Sequence, residues 1–154
     1  MNKPESIDWS NPKSKISEFF TVGEATYLPS WKTYHIPSEE EKANICLQAS
    51  KMDLIRRFLG KPIKIHVWMR PEKANCPGSE HNGEDYNKLI GGAKLSAHRI
   101  GAAADWDANE NCDDTRNKLE SKLEEYQVRM EKKPNSSWVH IDFLAPKPNR
   151  YFIP

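Results

Sequence analysis

Ser96-Ala97-His98-Arg99-Ile100-Gly101-Ala102-Ala103-Ala104-Asp105 is the stretch on which the reading of this chain turns. A histidine and an aspartate stand seven positions apart, with a glycine and three alanines between them. That step is too long for one helix face and suits two adjacent strands, the small residues letting one turn closely into the next. Leu95 to Trp106 is therefore predicted as two short strands carrying His98 and Asp105. Ser96 lies two positions before His98 on the same strand face, where its hydroxyl can orient the imidazole from behind. A second segment, Trp138-Val139-His140-Ile141-Asp142, brings another histidine in a short apolar strand. Zinc takes imidazole nitrogen and carboxylate oxygen, and a catalytic zinc keeps three protein ligands and one open position. His98, Asp105 and His140 make such a set. Without a metal, His140 reads as a buried histidine satisfied by hydrogen bonds. The helical His-Glu-x-x-His pattern of many zinc proteases is absent.

Outward from this centre, Pro62 to Arg70 alternates. Ile63, Ile65, Val67 and Met69 point one way and Lys64, His66, Trp68 and Arg70 the other, the pattern of a strand with one core face. Gln127–Glu131 and Ser137–Phe143 are predicted to pair as a hairpin around Lys133-Pro134-Asn135-Ser136, with Trp138, His140 and Asp142 on one face. Ser38 and Glu41 have capping-box spacing. Ile45, Ala49, Met52, Ile55 and Leu59 then recur at helical intervals up to Gly60, a natural stop. A second helix is predicted from Asp113 to Tyr126, with Leu119, Leu123 and Tyr126 inward. The expected fold is α+β: a small antiparallel sheet carrying the metal site, packed against two main helices. Glu72–Lys94 reads as a long loop with one helical turn near Tyr86–Ile90, and His81 within it as a solvated loop residue. Residues 1–37 are expected to be an irregular segment packed on the domain, and 145–154 a proline-rich tail on the surface or disordered.

The 154 residues fit one domain. A net charge of +1, with no basic–aromatic clustering, gives no footprint for nucleic acid. No apolar run has the length of a membrane span. Met1–Lys15 is polar, unlike a secretory signal, so synthesis in the cytoplasm without a signal peptide is expected. Three widely spaced cysteines without a C-x-x-C pair read as ordinary reduced thiols. A monomer is expected.

Ser-x-His-x-x-Gly-x-Ala-x-Asp followed by Trp-Val-His-x-Asp resembles the zinc D-Ala-D-Ala carboxypeptidases, which group with lysostaphin-type enzymes and the hedgehog signalling domain. Ile16–Glu24, Trp68-Met69-Arg70-Pro71 and Gly91-Gly92-Ala93 look similar to upstream pieces of that family. The resemblance implies a zinc peptidase that cuts bonds next to D-amino acids in the stem or cross-link peptides of bacterial peptidoglycan. A wall enzyme without an export signal resembles phage endolysins, which a separate pore protein releases. The family also places an arginine near Arg70, whose planar fork suits a substrate carboxylate. Some relatives carry an acid three residues before the last zinc histidine, where this chain has Ser137. Two candidate general bases remain: Glu131, similar in location to the hedgehog domain's glutamate, and Asp142, two residues beyond His140. The resemblance leaves endopeptidase and carboxypeptidase open. The missing acid keeps a second class of function open, a catalytically silent zinc-binding module that recognises wall peptide or a protein partner.

Overall fold

The computed structural model describes residues 3–154, so the first two positions of the N-terminal segment lie outside the described residues. The part of that segment expected to be irregular holds regular pieces. Helix α1 (Val22–Thr26) starts at Thr21, whose hydroxyl accepts from the Glu24 amide while Glu24 reaches back, a capping box. Strands β1 (Tyr27–Leu28) and β2 (Thr33–Tyr34) form a small hairpin. Ile16, Phe20, Val22 and Ala25 are fully buried in the main core, so this segment is part of the fold's interior.

Helix α2 (Glu39–Leu59) matches its sequence pattern. Ser38 caps it, Glu41 completes the capping box, and Gly60 ends it in a left-handed conformation. Ile45, Ala49, Met52 and Ile55 are fully buried, the two isoleucines and the methionine each contributing about 1.5–3 kcal/mol by leaving water. The helix is also tied to the sheet, because Gln48 Nε2 donates to the Ile141 carbonyl at 2.9 Å.

Strand β3 (Lys64–Val67) is shorter than the expected alternation. Its register against β4 (Ala103–Asp107) shifts between Ile65 and Val67. Beyond that irregularity both Trp68 and Met69 are fully buried, so the polar face predicted for Trp68 is lost. The long loop that follows contains α3 (Tyr86–Leu89), as expected. His81 in that loop stacks flat on Trp31, at 4.6 Å between ring centres.

The predicted second helix is divided into α4 (Cys112–Leu119), a 3-10 turn (Glu120–Lys122) and α5 (Leu123–Tyr126). Glu120 and Leu123 keep right-handed helical dihedrals, so the axis tightens without reversing. Leu119 and Leu123 both stay in the core. Strands β5 (Arg129–Glu131) and β6 (Val139–Asp142) form the predicted hairpin, with Arg129 opposite Asp142.

The tail departs from expectation. Tyr151–Phe152 forms β7, parallel to β5, and closes a five-stranded sheet of order β3-β4-β6-β5-β7. The fold is α+β, with its sheet antiparallel apart from this edge pair. The three cysteines are free and buried. Among the described residues no helix is long and apolar enough to cross a membrane.

Candidate metal centre

Strands β4 and β6 are neighbours at the middle of the sheet, and their register sets Asp105 directly opposite His140. Side chains so paired lie about 4.5–5.5 Å apart at Cβ. His98 arrives by another route. Ala97–Ile100 is a 3-10 turn, so the two-strand expectation for Leu95–Trp106 is corrected: only Asp105 is on a strand. The reason is local. Ser96 Oγ accepts from the His98 amide at 3.2 Å, which caps a turn in place of extending a strand. Ser96 therefore positions His98 through the backbone. Gly101 then reverses the chain at φ 80°. A Cβ there would sit 2.8 Å from Ile45 and 3.2 Å from the Glu41 carbonyl, so only glycine fits.

The three side chains converge. One ligand atom from each of His98, Asp105 and His140 lies within 4.8 Å of the others. Asp105 Oδ1 stands 3.2 Å from His98 Nε2 and 2.9 Å from His140 Nδ1. All three residues are buried. The far side of each ring is fixed. His98 Nδ1 is 2.8 Å from the Trp68 carbonyl, which only accepts, so that nitrogen carries the hydrogen and Nε2 presents its lone pair inward. His140 Nε2 is 2.9 Å from Asp142 Oδ2, which leaves Nδ1 facing inward. A backbone carbonyl and a carboxylate behind the imidazoles are the usual outer partners of histidine zinc ligands. Two nitrogens and one carboxylate oxygen suit zinc and are too poor in oxygen for calcium or magnesium. The residues fit the ion that the sequence implies.

Burial opposes charge on every member. For His98 it prevails and lowers the pKa below the ordinary value. For His140 the hydrogen bonds and charges of Asp105 and Asp142 outweigh burial and raise the pKa to about 9. Asp105 is desolvated too, yet the two imidazoles hold its carboxyl well below the usual carboxylate range.

Arg70 reaches the same carboxylate. Its Nη2 donates to Asp105 Oδ2 at 3.0 Å, while its Nε is buried without a hydrogen-bond partner. The arginine expected to hold a substrate carboxylate thus first holds the ligand carboxylate. Asp142 is nine-tenths and more buried and is saturated: Arg129 donates to both of its oxygens at 2.7 and 2.8 Å, the Leu144 amide adds a third bond, and His140 a fourth. Glu131, half-buried at the end of β5, takes none of those bonds. It lines a cavity of about 280 Å³ together with His140, Ser96, Arg129 and Asp142, walled by Ala93, Leu95, Ala97, Phe152 and Pro154. His66 and His81 are elsewhere, paired with Asp107 and with Glu84.

Three contributors escaped the sequence reading: Arg129, the Trp68 carbonyl and Phe152. The predicted hairpin put Arg129 and Asp142 on adjacent strands, but their pairing depends on a register that the sequence left open. Neither a backbone carbonyl nor a wall residue from a separate edge strand carries a sequence signal. No protein-family model, curated protein or solved structure matches this chain.

Proposed function

We propose that the protein is a zinc peptidase that hydrolyses a peptide bond next to a D-amino acid in bacterial peptidoglycan. The observation that carries this reading is the convergence of His98 Nε2, Asp105 Oδ1 and His140 Nδ1, with His140 also lining a cavity that Glu131 shares. The substrate class rests on the resemblance of Ser96–Asp105 and Trp138–Asp142 to the zinc D-Ala-D-Ala carboxypeptidases. A zinc ion held by these three residues supplies Lewis acidity, which polarises a carbonyl and acidifies water.

The chain's own groups divide the remaining work. Glu131 has a carboxylate free to take a proton on an oxygen and pass it to a leaving amine, the task of a general base and acid. Asp142 has no lone pair to spare and serves to hold His140. Arg70 orients Asp105, donating to its Oδ2 at 3.0 Å, and its planar fork suits a carbonyl or carboxylate of the substrate. Ala93, Leu95, Ala97 and Phe152 give that cavity an apolar wall that limits water.

The test is incubation of zinc-loaded protein with purified peptidoglycan, followed by mass spectrometry of the released fragments. Soluble stem or cross-link fragments are expected, and none with His140→Ala. Stoichiometric zinc without any cleavage would leave the silent recognition module as the better reading.

A further inference from the structure

We propose that Arg129 is a positioning residue for the metal centre, acting through Asp142; this rests on the metal reading of His98, Asp105 and His140. Its guanidinium meets Asp142 as a fork, Nε to Oδ1 at 2.7 Å and Nη2 to Oδ2 at 2.8 Å. A carboxylate held at both oxygens cannot swing about its own bond. Oδ2 is therefore fixed opposite His140 Nε2 at 2.9 Å. That contact decides which imidazole nitrogen carries the hydrogen, and so leaves Nδ1 aimed at Asp105 Oδ1.

Arg129 is itself held in plane. Its guanidinium carbon lies 4.2 Å from the centre of the Phe152 ring, a cation–π stack. Phe152 meets the His140 ring edge to face, at 6.1 Å and 82°. The Phe152 carbonyl in turn accepts from the Lys132 amide at 2.6 Å, and β7 is paired with β5. Side chains from three adjacent strands, Arg129, Asp142 and Phe152, thus lock one imidazole.

A buried ion pair needed only for stability asks for a compensating charge. Positioning asks for the planar fork as well. Lysine retains the charge and loses the two parallel bonds. Arg129→Lys therefore separates the two roles.

The experiment is cobalt(II) titration of the full chain. Affinity is read by competition with a chromophoric chelator, and ligand geometry by the cobalt absorption bands. Arg129→Lys is expected to weaken cobalt binding about 10–100-fold, the usual cost of losing an outer partner of a ligand, and to shift the bands. Phe152→Leu, which keeps the ion pair and removes the stacking face, should shift the bands in the same direction. If Arg129→Lys does not fold, the double variant Arg129→Gln/Asp142→Asn replaces the ion pair by a neutral amide pair and is expected to show the same loss. Unaltered affinity and bands in the folded variants would overturn the positioning role and leave the metal centre standing. Failure of the unsubstituted protein to bind cobalt would overturn the metal centre, and this inference with it.

Discussion

Strand β4 carries two polar clusters, one built on Asp105 at its middle and one on Asp107 at its C-terminal end, and they differ in how their side chains are engaged. At and just beyond its C-terminal end lie Asp107, Glu110 and Asp113, around a cavity of about 530 Å³, larger than the one at His140. Each of these acids is already closed. Asp107 accepts from the Asn109 amide and pairs with His66. Glu110 takes Lys118 at 2.7 Å, Lys61 at 3.2 Å and the Thr115 hydroxyl at 2.9 Å. Asp113 takes Arg116 and the Asn135 amide. At the other cluster one nitrogen of His98 and one of His140 face Asp105, and the opposite nitrogen of each ring is held from behind, by the Trp68 carbonyl and by Asp142. The lesson is that volume and negative charge do not mark a site. Acceptors that converge, each held from behind, do.

The most damaging test of that contrast is to exchange the clusters' fates. His98→Ala or His140→Ala should reduce zinc affinity by more than the roughly 10–100-fold typical of losing an outer partner, since a ligand itself is gone. Asp107→Asn combined with Asp113→Asn should leave zinc stoichiometry at its original value. Metal analysis of dialysed protein reads both. Undiminished zinc in the two histidine variants would remove the ligand assignment.

Next in size is the division between the two carboxylates near His140. Glu131→Gln should retain zinc and fold while lowering turnover by about 10²-fold or more, the scale of a lost general base. Asp142→Asn should act mainly on metal binding, because its bonds go to Arg129 and His140. A dead, zinc-replete Asp142→Asn beside a nearly unaltered Glu131→Gln would force the roles to be exchanged.

How much of this was legible in the sequence depended on how local each signal was. Helix α2 announced both of its ends, through Ser38 with Glu41 and through Gly60, and its stripe repeats over several turns. That His98, Asp105 and His140 come together was legible because they sit in short, recognisable contexts. The path to them was not. Ser-x-His fits a strand face and a serine-capped turn equally well, and the choice falls to the Ser96 hydroxyl and to Gly101 packed against Ile45. The β3 irregularity that buries Trp68 answers to a partner strand some 40 residues away, and no period within Pro62–Arg70 encodes it. Strand β7 is two residues long and its pairing is parallel and non-local, so a proline-rich context hid it.

A third, smaller effect concerns Arg116, which belongs to the closed cluster yet reaches toward the open one. It is almost fully buried, and its Nη1 donates to the Trp138 carbonyl at 2.8 Å, two residues before His140. Arg116→Met removes that donor but leaves the carbonyl the Ser136 hydroxyl at 3.0 Å, so the cost should be about 0.5–1.5 kcal/mol. At roughly 2–4 °C per kcal/mol for a chain of this size, calorimetry should see the loss in the melting temperature. Zinc stoichiometry should hold, since β6 is still paired on both sides. Loss of zinc in a folded Arg116→Met protein would mean that the acidic turn and the His98–Asp105–His140 cluster are coupled through β6.

The smallest effect tests whether the closed cluster is only a surface turn. Hydrogen bonding from Lys118, against a modest opposing effect of burial, and further bonds from Thr115 and Lys61 hold the Glu110 carboxyl at about 2, below its ordinary 4.5. A depressed acid stabilises the fold when it is ionised. The contribution is whole above the unfolded value of 4.5 and drains away as pH falls toward 2. Glu110→Gln removes it, so wild type and variant should differ most at neutral pH and converge in acid. Lys118 is half-exposed and Lys61 little less, so the gap should be small, at most about 1 kcal/mol. Salt at about 1 M shortens the screening length to roughly 3 Å and should narrow it further. Paired melting curves at neutral pH and near pH 3, each at low and high salt, resolve the effect. A gap that stays constant across both variables would show that Glu110 acts through its hydrogen bond to Thr115 and not through its charge, and the acidic turn would then be held by geometry, as the metal centre is.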